Sequence, residues 1–137
     1  MQLLVAAILI VVVTAAALVL QRRRTDPPTQ GDWQVPTQLD RADFGGADRD
    51  WIVVTFTSES CHSCADVKRK AAVLASRDVA VVDVEYAAQR VLHERYAIEA
   101  VPALVIADRE GVVRASFLGP VTATDLWAAY AEVRSSG

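Results

Sequence analysis

The chain begins with an apolar run whose length is not matched anywhere else in the sequence. The 18 residues from Leu3 to Leu20 are apolar except for Thr14. A helix of this length would extend roughly 27 Å, which is close to the thickness of a hydrocarbon core. The pattern therefore predicts one transmembrane helix within residues 1–21, acting as a signal-anchor.

A cleaved signal peptide is the alternative interpretation of this run. Ala15, Ala16 and Ala17 offer the small residues that a cleavage site needs. However, no basic region precedes the run, and apolar residues continue as far as Leu20. These two features favour an anchor that stays attached.

Residues 22–38 have a basic and proline-rich composition that predicts a linker. Arg22, Arg23 and Arg24 flank the predicted span, and flanking arginines prefer the cytoplasmic side of a membrane. We therefore expect a single-pass protein with its N-terminus outside and its domain in the cytoplasm, the extracytoplasmic side being the alternative. The prolines that follow indicate a semi-extended spacer.

The domain at residues 39–137 alternates between two hydrophobic periods. Nearly continuous apolar runs predict strands, whereas apolar residues at helical spacing predict helices. The strands are expected at 51–56, 79–84, 103–107 and 112–118, and the helices at 61–76, 87–97 and 125–133. This order predicts an α/β fold with a central mixed β-sheet flanked by helices. A right-handed parallel crossover comes first, and an antiparallel hairpin closes the sheet.

Finer features of the domain follow from the same pattern. The strand at 79–84 is expected to be buried, and Trp33 to Leu39 is expected to add an edge strand before a helical turn near 41–44. The helix at 87–97 is expected to bury Val91, Leu92 and Tyr96, and the last helix Leu126, Trp127 and Tyr130. His93 would then lie on a polar helix face with no role.

The charge balance excludes one class of partner. The chain has 14 basic and 17 acidic residues, for a net charge of −3. Three of the basic residues are the arginines at 22–24, so the domain itself is more acidic than this average. An acidic domain without a basic stripe argues against nucleic-acid binding.

The two cysteines of the chain form a single candidate site. Cys61 and Cys64 directly follow a predicted strand and open a predicted helix, with His62 and Ser63 between them. Unpaired N–H groups at a helix N-terminus stabilise a thiolate, so Cys61 is expected to be the nucleophile. Cys64, on the inner helix face, is expected to resolve the mixed disulfide. His62 and Ser63 would tune the redox poise, His62 by adding positive charge when protonated.

Metal binding is the competing chemistry for this cysteine pair. Structural zinc needs four ligands, and the sequence offers no second Cys pair, so we expect no metal cofactor. Cu(I) held by the two thiolates stays open as an alternative, because soft ligands select that ion.

From about residue 39 to 133 the chain resembles the thioredoxin superfamily. The resemblance is carried by the strand that leads into the CHSC motif, by the stretch from Tyr96 to Leu104, and by Gly111 and Gly119 in the hairpin region. It implies a thioredoxin fold with a cis bond before Pro102, which would pack beside Cys61. It also implies that the backbone of Val101 pairs with an extended substrate segment.

Some positions depart from the family pattern. Thr55 stands where thioredoxins carry a buried aspartate, and the partner lysine position is expected at Val81. Thr57 and Ser60 replace tryptophans that flank the motif. Glu59 could supply a carboxylate, although a solvated position is the simpler expectation. These departures favour a specialised partner or an altered redox poise.

Together these features predict a membrane-tethered thiol-disulfide oxidoreductase that acts on protein thiols and disulfides without a bound cofactor. A thioredoxin reductase or another thiol-redox protein would be its electron partner. Two alternatives remain: a thioredoxin-like binding module whose thiols are dispensable, and a carrier of Cu(I).

Overall fold

The computed structural model describes residues 1, 10, 12–15 and 34–137. The chain divides into two units, Met1–Asp32 and Trp33–Gly137. In the first unit, the described residues 10 and 12–15 are helical and exposed. Among the described residues, no helix has the length and apolar character needed to span a bilayer. Most of the predicted anchor (1–21) and of the predicted linker (22–38) lies outside the described residues, so both stay predictions.

The second unit contains a mixed four-stranded sheet, as the sequence predicts. Its strands are β1 (Trp51–Thr57), β2 (Val79–Glu85), β3 (Ala103–Ala107) and β4 (Val113–Leu118), in the order β2-β1-β3-β4. The helices are α1 (Cys64–Ala72), α2 (Arg90–Arg95) and α3 (Ala123–Ser136), preceded by a 3-10 turn at Arg41–Asp43. β1 pairs in parallel with β2 and antiparallel with β3, and β3 and β4 form the antiparallel hairpin.

Strand β1 lies at the centre of the core and contributes to it from both faces. Val53 packs in one cluster with Val67 of α1 and Leu126 of α3. Val54 and Phe56 belong to the cluster on the opposite face. Phe56 has no exposed surface, and burying a side chain of this kind contributes about 1.5–3 kcal/mol. This packing holds the end of β1, where the cysteine motif begins, in a fixed position.

The predicted burial of β2 and the predicted edge strand at Trp33 to Leu39 are both wrong in detail. β2 is an edge strand with one neighbour, so its central residues, 80–83, are only half-buried. Within residues 34–39, only Gln38 forms a β-bridge, and its partner is Val112 of the hairpin turn. Pro36 carries no backbone N–H, which explains why pairing does not extend along this segment.

The second helix differs from its prediction in both length and rotational phase. It spans only Arg90–Arg95, because a preceding turn is held by the Glu85 carboxylate, which accepts the Ala88 N–H at 2.9 Å. Val91 is 74% exposed, whereas His93 is 2% exposed. The predictions that Val91 is buried and that His93 lies on a polar face are therefore wrong.

The other two helices need smaller corrections. Helix α1 begins at Cys64 rather than Cys61, and Ser63 is its N-cap residue. In α3, Trp127 is 46% exposed although its burial was expected, whereas Leu126 is buried. The N-terminus of α3 is capped by the Thr122 hydroxyl, which accepts the Asp125 N–H at 3.1 Å.

Candidate active site

The two cysteines lie in the tight turn that connects β1 to α1. The Cys61 N–H donates to the Ser58 carbonyl at 3.1 Å, and the Cys64 N–H donates to the Cys61 carbonyl at 3.4 Å. Cys61 and Cys64 form a disulfide with a Cα–Cα distance of 5.4 Å. Cys61 is partly exposed and Cys64 is 2% exposed. A thiolate at Cys61 would therefore be accessible to another protein, whereas the sulfur of Cys64 is shielded.

The residues between the cysteines sit where helix α1 starts. Ser63 makes no side-chain cap hydrogen bond, so its hydroxyl is not engaged by the first-turn N–H groups. Its Oγ lies 3.8 Å from Cys61 Sγ, within reach of a hydrogen bond to sulfur. The side chain of His62 is exposed. The positive end of the helix dipole and the Ser63 hydroxyl are thus both beside the Cys61 sulfur.

The peptide bond between Val101 and Pro102 is cis, as the family resemblance implies. Pro102 is buried, and its carbonyl accepts the Gly119 N–H at 2.7 Å. Val101 is half-buried. Val101 and Ser58 both line one cavity of about 340 Å³, which brings the segment before the cysteines and the segment before Pro102 to the same surface.

A partly buried polar cluster lies at the sheet next to the cysteine motif. The hydroxyls of Thr55 and Thr57 both donate to Asp83 Oδ1 at 2.9 Å. Lys68 Nζ of α1 lies 2.8 Å from Asp83 Oδ2. Thr55 is paired in register with Asp83, whereas Val81 is paired with Val53. The residue in register with Thr55 is therefore a carboxylate, and Val81, at the expected position of the partner lysine, is apolar and pairs with Val53.

This cluster lies on the face of the sheet that α1 covers. Thr55 and Thr57 share a face of β1 with Val53, which packs against Val67 of α1. Cys64 precedes Val67 by three residues and is buried on the same side of the helix. The buried thiol of Cys64 and the Asp83 cluster therefore belong to one helix–sheet interface.

A second carboxylate joins two loops at the site. Glu85 accepts the N–H groups of Ala88 at 2.9 Å and of Glu59 at 3.4 Å. Hydrogen bonds from backbone N–H groups, that of Ala88 above all, lower the pKa of Glu85 below its ordinary value. Glu85 thus keeps its charge at neutral pH while it ties the loop before Cys61 to the end of β2. Glu59 itself is exposed and contributes its N–H here.

Within the part of the chain that the structure describes, no group of three or more His, Cys, Asp or Glu residues could hold a metal ion.

Residues 42–132 match the family model described as Thioredoxin. The chain belongs to the thioredoxin family. The match includes both cysteines, Asp83 and the cis-proline. Family membership and the position of the Cys61–Cys64 pair support thiol-disulfide oxidoreductase activity in general.

Solved structures show the same fold. Thioredoxin from Halobacterium salinarum NRC-1, solved as a mutant, is 23% identical with a TM-score of 0.52, over 58% of this chain and 71% of that one. The germline-specific thioredoxin Deadhead of Drosophila melanogaster is 26% identical with a TM-score of 0.54, over 63% and 83%. A malarial protein is 16% identical with a TM-score of 0.54, over 61% and 97%. No curated protein matches the chain.

Two residues of this thioredoxin-family site were missed at the level of sequence. Asp83 interrupts the apolar run from Val79 to Val84. A single charged residue inside a predicted strand indicates that its side chain has a polar partner in the fold. His93 lies three residues before Tyr96, a spacing that places both on one helix face.

Proposed function

We propose that this chain is a membrane-tethered thiol-disulfide oxidoreductase that exchanges disulfides with protein substrates. The observation that carries the proposal is the pairing of a partly exposed Cys61 with a buried Cys64 at the end of β1. The difference in exposure between the two cysteines supports attack by Cys61 and resolution by Cys64. Val101 and Pro102 form the surface against which an extended substrate segment lies. His62 and Ser63 tune the redox poise of Cys61.

The exchange proceeds in two steps that transfer two electrons. The Cys61 thiolate attacks a substrate disulfide, forms a mixed disulfide and releases one substrate thiolate, which takes up a proton. Cys64 then loses its proton and attacks Cys61 Sγ. This breaks the mixed disulfide, releases the second substrate thiolate and leaves the Cys61–Cys64 disulfide. A thioredoxin reductase or another dithiol protein returns the pair to the reduced form, and the reverse sequence would oxidise a substrate.

Asp83 is our candidate for the group that accepts the Cys64 proton. It is the carboxylate at the helix–sheet interface that also contains Cys64, and Thr55 and Thr57 hold one of its oxygens in place. Asp83→Asn should therefore slow the resolving step at least about tenfold, within the range of general-base effects, and leave the first attack unchanged. Asp78→Asn, at an exposed position, is the matched control. Equal resolving rates in the two variants would remove Asp83 from the mechanism.

Paired cysteine variants test the whole proposal. Cys61→Ser should abolish disulfide exchange, because no attacking thiolate remains. Cys64→Ser should accumulate a mixed disulfide between Cys61 and its substrate in cells, which mass spectrometry can identify. Retention of function by both variants would favour a docking module with dispensable thiols. If the wild type binds Cu(I) stoichiometrically and both variants lose this binding, the result would favour a Cu(I) carrier.

Membrane tethering rests on the apolar run from Leu3 to Leu20 and on the three arginines after it. The full chain should fractionate with membranes and resist extraction at alkaline pH, whereas a chain lacking residues 1–21 should be released. A C-terminal tag should be protected from external protease if the domain faces the cytoplasm. Digestion of that tag in intact cells would place the domain on the extracytoplasmic side.

A further inference from the structure

A cavity of about 340 Å³ lies beside the cis-proline, in the second unit of the chain. It is partly open to solvent, and its lining joins the loop before Cys61, the end of β2, helix α2 and the segment before Pro102. The lining residues are Ser58, Tyr86, His93, Ile98, Glu99, Ala100 and Val101. Its volume is at the lower end of the range for ligand pockets, and it is large enough to receive one long side chain.

The wall of this cavity is fixed by aromatic packing. The His93 ring packs edge-on against Phe56, with ring centroids 5.5 Å apart, and against Tyr86, at 5.2 Å. His93 Nε2 lies 2.8 Å from the Val84 carbonyl. Because a carbonyl only accepts, Nε2 carries a proton. These contacts hold the ring in place, so the cavity is formed before a substrate arrives.

The charges around the cavity are mainly negative. Glu99 lines it, and no lysine or arginine of the described residues does. Glu59 follows Ser58 in the loop before Cys61, and Glu85 precedes Tyr86 at the end of β2, so two further carboxylates neighbour these walls. The Arg90 guanidinium lies 5.7 Å from the Tyr86 ring centroid, and its Nε is paired with Glu94 at 2.9 Å. A cationic side chain would be attracted here, whereas an anionic one would be repelled.

We infer that this cavity selects protein substrates by receiving a basic side chain, lysine or arginine, that neighbours the reactive cysteine of an extended segment. The aliphatic stem of that side chain packs against Ile98 and Val101, and its cationic head pairs with Glu99. The inference rests on the proposed function, because it assigns a preference to the same exchange reaction. It makes Glu99 a specificity-determining residue.

The test uses short peptides that carry one cysteine as a mixed disulfide with thionitrobenzoate and differ only in the residue beside it, which is Arg, Gln or Glu. The reduced protein attacks the disulfide, and released thionitrobenzoate reports the second-order rate constant. We expect the Arg peptide to react about tenfold faster than the Glu peptide at low salt, with a smaller ratio at high salt. Both peptides share the same leaving group, so its charge cancels from the ratio.

Variants at Glu99 then locate the preference. Glu99→Gln should reduce the Arg-to-Glu rate ratio at least about threefold, and Glu99→Arg should invert it, because the sign of the local charge changes. Glu132→Gln, at an exposed position of α3 remote from the cavity, should keep the wild-type ratio. An unchanged ratio in Glu99→Gln and Glu99→Arg would overturn the inference.

An uncharged small disulfide, bis(2-hydroxyethyl) disulfide, separates this inference from the function on which it rests. Equal reduction of this compound by the wild type and by Glu99→Gln would show that the variant is folded and reactive. If the wild type reduces it but treats the Arg and Glu peptides alike, the inference is wrong and the proposed function stands. If the wild type reduces neither the compound nor the peptides, both are wrong.

Discussion

At one end of the sheet, where β1 and β2 end, lie the Cys61–Cys64 disulfide, the cis bond before Pro102 and the cavity beside it. At the opposite end, one arginine joins several loops by hydrogen bonds, although its Nε has no partner among the described residues. The Arg41 guanidinium donates to three backbone carbonyls at 2.7–3.0 Å, those of Asp108, Gly46 and Arg49. The comparison indicates that one end holds the domain together, whereas the other is kept accessible for exchange.

Individual side chains at the two ends differ in burial. At the site end, Tyr86 and Val91 are 42% and 74% exposed, although both are large apolar residues. At the opposite end, Asp108 is only 8% exposed although it is charged. Its burial is possible because the N–H groups of Glu110 and Val112 and the Arg114 side chain donate hydrogen bonds to its carboxylate. Changes at the two ends should therefore separate: those at the opposite end should alter stability, and those at the site end should alter reactivity.

The largest loss of stability is expected from Gly111→Ala. Gly111 has a φ of +81°, and a Cβ there would overlap the Leu39 carbonyl oxygen. The Leu39 N–H also donates to the Gly111 carbonyl at 2.7 Å, so the two segments cannot simply separate. We expect a loss of about 3–4 kcal/mol in urea unfolding. Gly45→Ala is the matched control, because its Cβ would meet nothing within 4 Å; equal losses in the two variants would contradict this account.

Arg41→Met should give the next largest loss of stability, about 2–3 kcal/mol in urea unfolding. Methionine replaces the apolar stem of the side chain but leaves three partly buried carbonyls without their charged donor. The rate of exchange with a small disulfide should stay at the wild-type value. The exposed Arg77, changed to Met, should lose almost no stability. A slowed exchange in folded Arg41→Met would show that the two ends are coupled.

Asp108→Asn should cost about 1–2 kcal/mol at pH 7, and the cost should depend on pH. Burial alone raises the pKa of Asp108, but hydrogen bonds from Arg114 and from the N–H groups of Val112 and Glu110 together lower it below its ordinary value. A lowered pKa in the folded state stabilises the protein above the unfolded pKa of about 3.9, and this contribution is lost as the pH falls through the folded value.

Urea unfolding at pH 7 and pH 3 measures this dependence. The wild type should lose stability between the two pH values, and the difference between wild type and Asp108→Asn should shrink at pH 3. A difference of the same size at both pH values would mean that the ionised carboxylate is not what stabilises the turn.

The smallest effect on stability is expected at the site end, from Ser63→Ala. The change should alter the free energy of unfolding by less than about 0.5 kcal/mol, because the hydroxyl makes no cap hydrogen bond. It should slow the attack of Cys61 a few-fold, since a donor 3.8 Å from the sulfur is lost. Stopped-flow reaction with a disulfide at fixed pH measures the rate, and an unchanged rate would remove Ser63 from the tuning of Cys61.

Much of the fold was predictable because it depends on local patterns. The apolar run at Trp51 to Phe56 marks the central strand, and the Cys61–Cys64 spacing marks the site. The rotational phase of α2 was not predictable, because it depends on a carboxylate from β2, that of Glu85, which holds the preceding turn. The helical period alone therefore placed Val91 inside and His93 outside.

The Asp83 cluster was hidden for a different reason. Its contacts with Thr55 and Thr57 join residues that are 26 to 28 positions apart, and they depend on the register between β1 and β2. A single sequence shows the alternation within each strand but not which residues of two strands lie opposite each other. The departure at Thr55 was therefore visible, whereas the carboxylate that stands beside it was not.

The most direct test of the account is the relative reactivity of the two thiols. The reduced domain is treated with iodoacetamide under native conditions, and the extent of labelling of Cys61 and Cys64 is followed by mass spectrometry. Because Cys61 is partly exposed beside the start of α1 and Cys64 is buried, Cys61 should be labelled at least about tenfold faster. Equal labelling, or faster labelling of Cys64, would contradict the assignment of Cys61 as the nucleophile.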